Sequence, residues 1–99
     1  MIRKTVKNKM LECGLDIRIP DDVNFLSAAL GLIPAEHHDW LITNYIKRWL
    51  ETIEDLRNEG VQGHKWHNAG RFAANEWLRY VLNKRGLGKP DTSQFKRVR

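Results

Sequence analysis

Cysteine is nearly absent: Cys13 is the only one in 99 residues. No disulfide can form within the chain, so the expected fold is held by its core and not by crosslinks. No cysteine pair is available for a zinc site, and no spacing such as H-E-x-x-H occurs. Serine is almost as scarce, with Ser27 and Ser93 alone. Neither lies in a G-x-S-x-G elbow, and glycine-rich phosphate loops and paired-carboxylate signatures are missing too. No apolar run approaches the roughly 20 residues of a membrane span. The basic start "MIRKTVKNKMLECG" has no apolar stretch behind it of the kind a secretory signal needs. These absences together lead us to expect a cytoplasmic, non-enzymatic protein, with no metal, no cofactor, no membrane contact and no small-molecule substrate.

What is present belongs to a folded domain. Hydrophobic residues make up 41% and charged residues 29%, a balance above that of disordered chains. Four tryptophans supply either core mass or stacking surface. The net charge of +5 is unevenly spread. Residues 1–20 carry five basic and two acidic side chains, residues 21–60 three and eight, and residues 61–99 nine and two. Either the two ends meet something anionic, or the acidic middle pairs with the basic end inside one fold.

Hydrophobic spacing reads as helix throughout. Ile2, Val6, Met10 and Cys13 fall on one helical face, with Gly14 as its stop. A buried, inert thiol is the expectation for Cys13 there. "LDIRIP" is too short to build a sheet and reads as an extended connector. Asp21 or Asp22 offers an N-cap for a short helix ending at Gly31. Pro34 and Gly60 bracket a long amphipathic helix whose stripe is Ile42, Ile46, Trp49, Ile53 and Leu56, flanked by Tyr45 and Leu50. After the turn at "VQGH", a last helix carries Trp66, Gly70, Ala73, Trp77 and Val81 on its apolar side, joined by Ala69, Ala74 and Tyr80. Its small residues allow close approach to the long helix. The fold class is therefore all-α, a small bundle of three to four helices. It is built around an antiparallel helical hairpin, about 34–59 and 65–85. Residues 1–87 are expected to form one helical domain, and 88–99 a flexible basic tail.

The histidines invite a metal reading. His64 and His67 share a face if their helix begins early, but His37 and His38 diverge on theirs, so only one of that pair can join them. Histidines near helix starts, hydrogen-bonded or wet, are the plainer account. Neighbours in "HHDW" do not face one another on a helix, which weakens an acid–base pairing.

"FLSAALGLIPAEHHDWL", Phe25 to Leu41, resembles the helix-turn-helix of many repressors. Ser27 stands four before the turn glycine Gly31, Leu30 and Leu32 flank the turn, and Trp40 takes the large position of the second helix. His37 departs from the pattern, falling where an aliphatic residue is buried. So does the charge: Glu36 and Asp39 open the would-be recognition helix, with no cation before Lys47, whereas phosphates and guanine edges want Arg or Lys. An ordinary helical corner fits these 17 residues better.

The candidate binding face lies near the C-terminus. With Trp77 facing inward, Arg71, Asn75 and Arg79 face outward together with Phe72 and Leu82. Arginine beside exposed aromatic and aliphatic groups is the composition of a hot spot, and it also suits nucleic acid. Lys65, Lys84 and Arg85 extend the charge, and Lys89, Lys96, Arg97 and Arg99 carry it into the tail with Phe95 among them. A solvated face is the bland alternative. Two functions follow. The first is a non-enzymatic binding protein of DNA or RNA metabolism that holds nucleic acid, or a complex handling it, on the basic helix and tail. The second is a protein-directed modulator anchored by Arg71, Phe72, Arg79 and Leu82. In size and style the chain is similar to accessory proteins of temperate bacteriophages. That likeness implies a protein partner of DNA metabolism, such as a RecBCD-type recombination nuclease.

Overall fold

The computed structural model describes residues 2–17 and 20–87. Four helices, α1 (Ile2–Glu12), α2 (Pro20–Leu30), α3 (His38–Asn58) and α4 (Trp66–Lys84), account for the architecture, with no strand among the described residues. The chain is all-α, as expected. Short 3-10 turns at Ala35–His37 and Gly63–Lys65 lead into α3 and α4. Pro34 itself is extended (φ −57°, ψ 143°) and opens the first of these turns, so α3 begins later than the proline alone implied. Of the connector, Leu15–Ile17 is irregular, and Arg18 and Ile19 lie outside the described residues.

The hairpin is antiparallel, because cross-contacts run in opposite order along its arms. Trp40 meets Trp77, Tyr45 bonds to Asn75, Trp49 bonds to His67, and Arg57 lies over Trp66. The turn between the arms follows from Gly60, whose φ of +80° is open to glycine at little cost. There the amide of Val61 donates to the Leu56 carbonyl and that of Gly60 to Arg57. This is a Schellman closure, with Leu56 and Val61 as its apolar pair. The same two bonds end α1 (Leu15 to Met10, Gly14 to Leu11) and α4 (Leu87 to Leu82, Gly86 to Asn83). In each case an apolar residue follows the glycine and folds back on the helix it has left.

The core joins all four helices. Val6 and Met10 of α1, Val23, Leu26 and Leu30 of α2, and Leu41, Ile42, Tyr45, Ile46, Trp49 and Ile53 of α3 are buried together. On α4 the buried residues are Gly70, Ala74, Leu78 and Leu82. That stripe is rotated by about one position (~100°) from the one its tryptophans suggest. Trp66 and Trp77 only flank the core, and Tyr80 is exposed. The reason is distance. A Cβ on Gly70 would lie 2.5 Å from Trp49 Cδ1 and 3.0 Å from the Trp49 carbonyl oxygen. Helices this close leave room for small residues, not for an indole.

Two further expectations are corrected. Cys13 is exposed, because it lies past the last helical residue, where the apolar face has turned to solvent, and Ile2 at the other end is 42% exposed. Pro20 takes the first helical position, which puts Asp21 and Asp22 in the first turn and not at the N-cap. The helix-turn-helix likeness set aside above does not extend to the packing, for Trp40 is 45% exposed and leans on Trp77. Seven residues, 31–37, separate α2 from α3, and Glu36 and Asp39 are solvent-exposed at the start of α3. This segment is a helical corner.

Candidate functional site

The feature that organises the surface of α4 is a carboxylate on another helix. Asp22, 2% exposed, accepts from Arg71 Nε at 2.6 Å and from Asn75 Nδ2 at 2.9 Å. The Tyr45 hydroxyl in turn donates to Asn75 Oδ1. One polar chain thus crosses α2, α4 and α3. A buried carboxylate needs both donors and a counter-charge, and α4 supplies them from positions 71 and 75, one turn apart. Its bond to Asp22, above all, holds Arg71 more firmly protonated than a free guanidinium. Burial, with the Asp22 charge adding to it, pushes the Tyr45 phenol well above its ordinary range, so Tyr45 stays a neutral donor.

A second link runs through His67. Its Nδ1 accepts from the Trp49 indole N–H at 3.1 Å and from the Asp16 amide at 3.3 Å. The connector and both arms of the hairpin therefore meet at one imidazole. Accepting at Nδ1 places the remaining proton on Nε2. His38 Nε2 lies 3.0 Å from the Ile33 carbonyl, and His37 sits 3.7 Å from Glu36. His67 and His38 thus tie separate segments together, whereas His37 meets its own sequence neighbour. Among the described residues, no three His, Cys, Asp or Glu side chains gather as metal ligands. The side chain of His64 lies outside what is described.

Beside this scaffold lies an open groove of about 890 Å³, lined by Lys65, Asn68, Ala69, Arg71, Phe72, Asn75 and Arg79. Five of these were expected from the sequence: Lys65, Arg71, Phe72, Asn75 and Arg79. Their conditions differ. Phe72 is 67% exposed. Arg79 is exposed, with its guanidinium 5.3 Å from the Phe25 ring centre. Arg71 and Asn75, expected to face outward, are turned towards Asp22 instead, because a buried carboxylate is the stronger attraction. Asn68 and Ala69 were missed as lining. Their one signal was their place a turn before Phe72 and Ala73.

Leu82 is not on this surface. It is 1% exposed and belongs to the core, since it continues the stripe of Gly70, Ala74 and Leu78. Lys84 and Arg85 occupy a second patch, on the hairpin's other flank. Lys84 lies 5.7 Å from the Tyr80 ring and Arg85 5.6 Å from the Trp40 ring, with Trp40 stacked at a tilt on Trp77. Helical spacing alone does not reveal that Arg85 reaches across to Trp40 on the other arm. Lys89, Lys96, Arg97 and Arg99 lie outside the described residues.

Comparison with protein-family models, curated proteins and solved structures finds no match to this chain. No helix among the described residues is long and apolar enough to cross a membrane.

Proposed function

We propose that this is a non-enzymatic binding protein of DNA or RNA metabolism that holds a nucleic-acid backbone along α4 and its basic tail. The observation that carries the reading is the groove. Three cations, Lys65, Arg71 and Arg79, surround an exposed phenylalanine, and its described lining contains no carboxylate. Cations on phosphates and an aromatic on a base are the two halves of nucleic-acid contact. Arg71 shares its charge with Asp22, so the groove neutralises about two to three phosphates. Binding to a single strand should then fall with a log–log salt slope of about −2. The four tail cations steepen that slope to about −4 or −5.

The test is anisotropy of labelled oligonucleotides at two salt concentrations, for the full chain and for a chain ending at residue 87. Tight binding whose slope relaxes on truncation supports the reading. No binding at low salt ends it.

A second reading is favoured by a different observation. Phe72, Tyr80 (57% exposed) and Trp40 stand beside arginines or lysines, as aromatic anchors do at protein interfaces. On this reading the chain is an accessory protein, of the phage type, that modulates a DNA-processing enzyme such as a RecBCD-type nuclease by direct contact. It predicts binding that survives moderate salt and fails on Phe72→Ala.

A further inference from the structure

We infer that the α4 groove selects single-stranded nucleic acid over duplex, with Phe72 as the stacking platform for one unpaired base. The inference rests on the polyanion reading above and adds the class of strand.

Three observations converge. Phe72 is the most exposed large apolar side chain described, and it lies among the groove's cations. A ring so placed stacks on the face of a base, which a duplex hides and a single strand offers. Two of the polar groups on the groove face Asp22 and not a duplex edge. Asn75 gives its amide to Asp22 and its carbonyl to Tyr45, and Arg71 is held at Nε by Asp22. A bidentate contact to an adenine edge needs both ends of an amide, and Asn75 has neither to spare. Finally, Glu76 is exposed one turn beyond Phe72 on the same side of α4. Its carboxylate repels phosphate, and most strongly where a duplex lays two phosphate rows against the helix.

The dimensions agree. Asn68 to Arg79 spans about 16 Å of helix at ~1.5 Å per residue. That length suits a short run of single strand, in keeping with the about two to three phosphates that the groove's cations neutralise. The stacked base would sit over Phe72, with Lys65 and Arg79 taking the flanking phosphates. Recognition by ring face and phosphate carries little sequence preference.

The experiment compares oligo(dT) of about 16 nucleotides with a duplex of equal length. Affinities are measured by anisotropy for the wild type, Phe72→Ala and Phe72→Leu. Phe72 is largely exposed, so both variants should melt with the wild type, which circular dichroism checks. Leucine keeps apolar bulk and loses the π face. The single strand is expected to bind about tenfold or more tightly than the duplex, and both variants to lose that advantage while duplex binding stays unchanged. Equal affinity for the two forms, or single-strand binding that both variants preserve within about twofold of wild type, overturns the inference and leaves the polyanion reading standing. Failure of both strands to bind the wild type overturns both.

Discussion

Gly70→Ala sets two effects against each other, and the structure decides between them. On helix preference alone, alanine in the middle of α4 stabilises by about 1 kcal/mol. The added methyl, however, would lie 2.5 Å from Trp49 Cδ1, 2.9 Å from Nε1 and 3.0 Å from the Trp49 carbonyl oxygen. Trp49 is fully buried, and its indole N–H is bonded to His67, so the ring cannot swing aside freely. Overpacking of this kind costs about 1–3 kcal/mol, and weakening the indole bond adds about 0.5–1.5 kcal/mol. The net loss is about 2 kcal/mol, or a fall in Tm of ~8–16 °C for a chain of this size. Thermal and urea unfolding followed by circular dichroism measures it. Gly63→Ala is the internal control. The nearest atoms to its new Cβ would be those of the Trp66 ring, at 3.7–3.8 Å, an ordinary contact, so its stability should hold or rise by a few tenths of a kcal/mol. A Gly70→Ala protein as stable as the wild type would refute the close helix approach on which the α4 register depends.

Tyr45 is neutral in the fold because burial raises its pKa, while in the unfolded chain it ionises near 10. Its contribution is therefore complete below about pH 10 and is lost above it, at ~1.4 kcal/mol per pH unit. Urea unfolding between pH 9 and 11 should show this extra slope in the wild type and not in Tyr45→Phe. Asp22→Asn removes the counter-charge of Arg71 from a buried site and should destabilise by about 2–3 kcal/mol, discounted for the partial exposure of Arg71; an unchanged urea midpoint would remove Asp22 from the scaffold. His67→Phe strands the buried Trp49 indole N–H and should cost about 1–3 kcal/mol, read from the same unfolding curves. Cys13 should react fully with a thiol reagent in the native protein, and reaction only on unfolding would contradict its exposed position.

The helical hairpin was legible because α3 repeats its apolar residues at four and three, from Ile42 to Ile53, and because Pro34 and Gly60 mark its ends. The face of α4 was not, for two physical reasons. Trp66 and Trp77 dominate any hydrophobic tally, yet an indole does not fit where helices meet through Gly70 and Ala74. The stripe that fits ends in Leu78 and Leu82, and this moved Leu82 from the surface to the core. The inward turn of Arg71 and Asn75 depends on Asp22, some 50 residues earlier, and helical periodicity carries no trace of so distant a partner. The surface residues that do keep their expected exposure, Lys65, Phe72 and Arg79, were found because charge beside an aromatic on the polar side of a helix is a local pattern. Cys13 was misjudged because spacing extends a stripe past the point where the helix stops.

The central claim is that the anionic partner lies on the Lys65–Arg79 flank of α4. Backbone and side-chain amide shifts of the isotopically labelled protein, followed during titration with oligo(dT), test it most directly. The account predicts shifts concentrated on Lys65, Asn68, Phe72 and Arg79 and on the Asn68 side-chain amide, with Trp40, Trp77 and Tyr80 unmoved. Shifts centred on Trp40, Tyr80 and Arg85, or none at all, would contradict it.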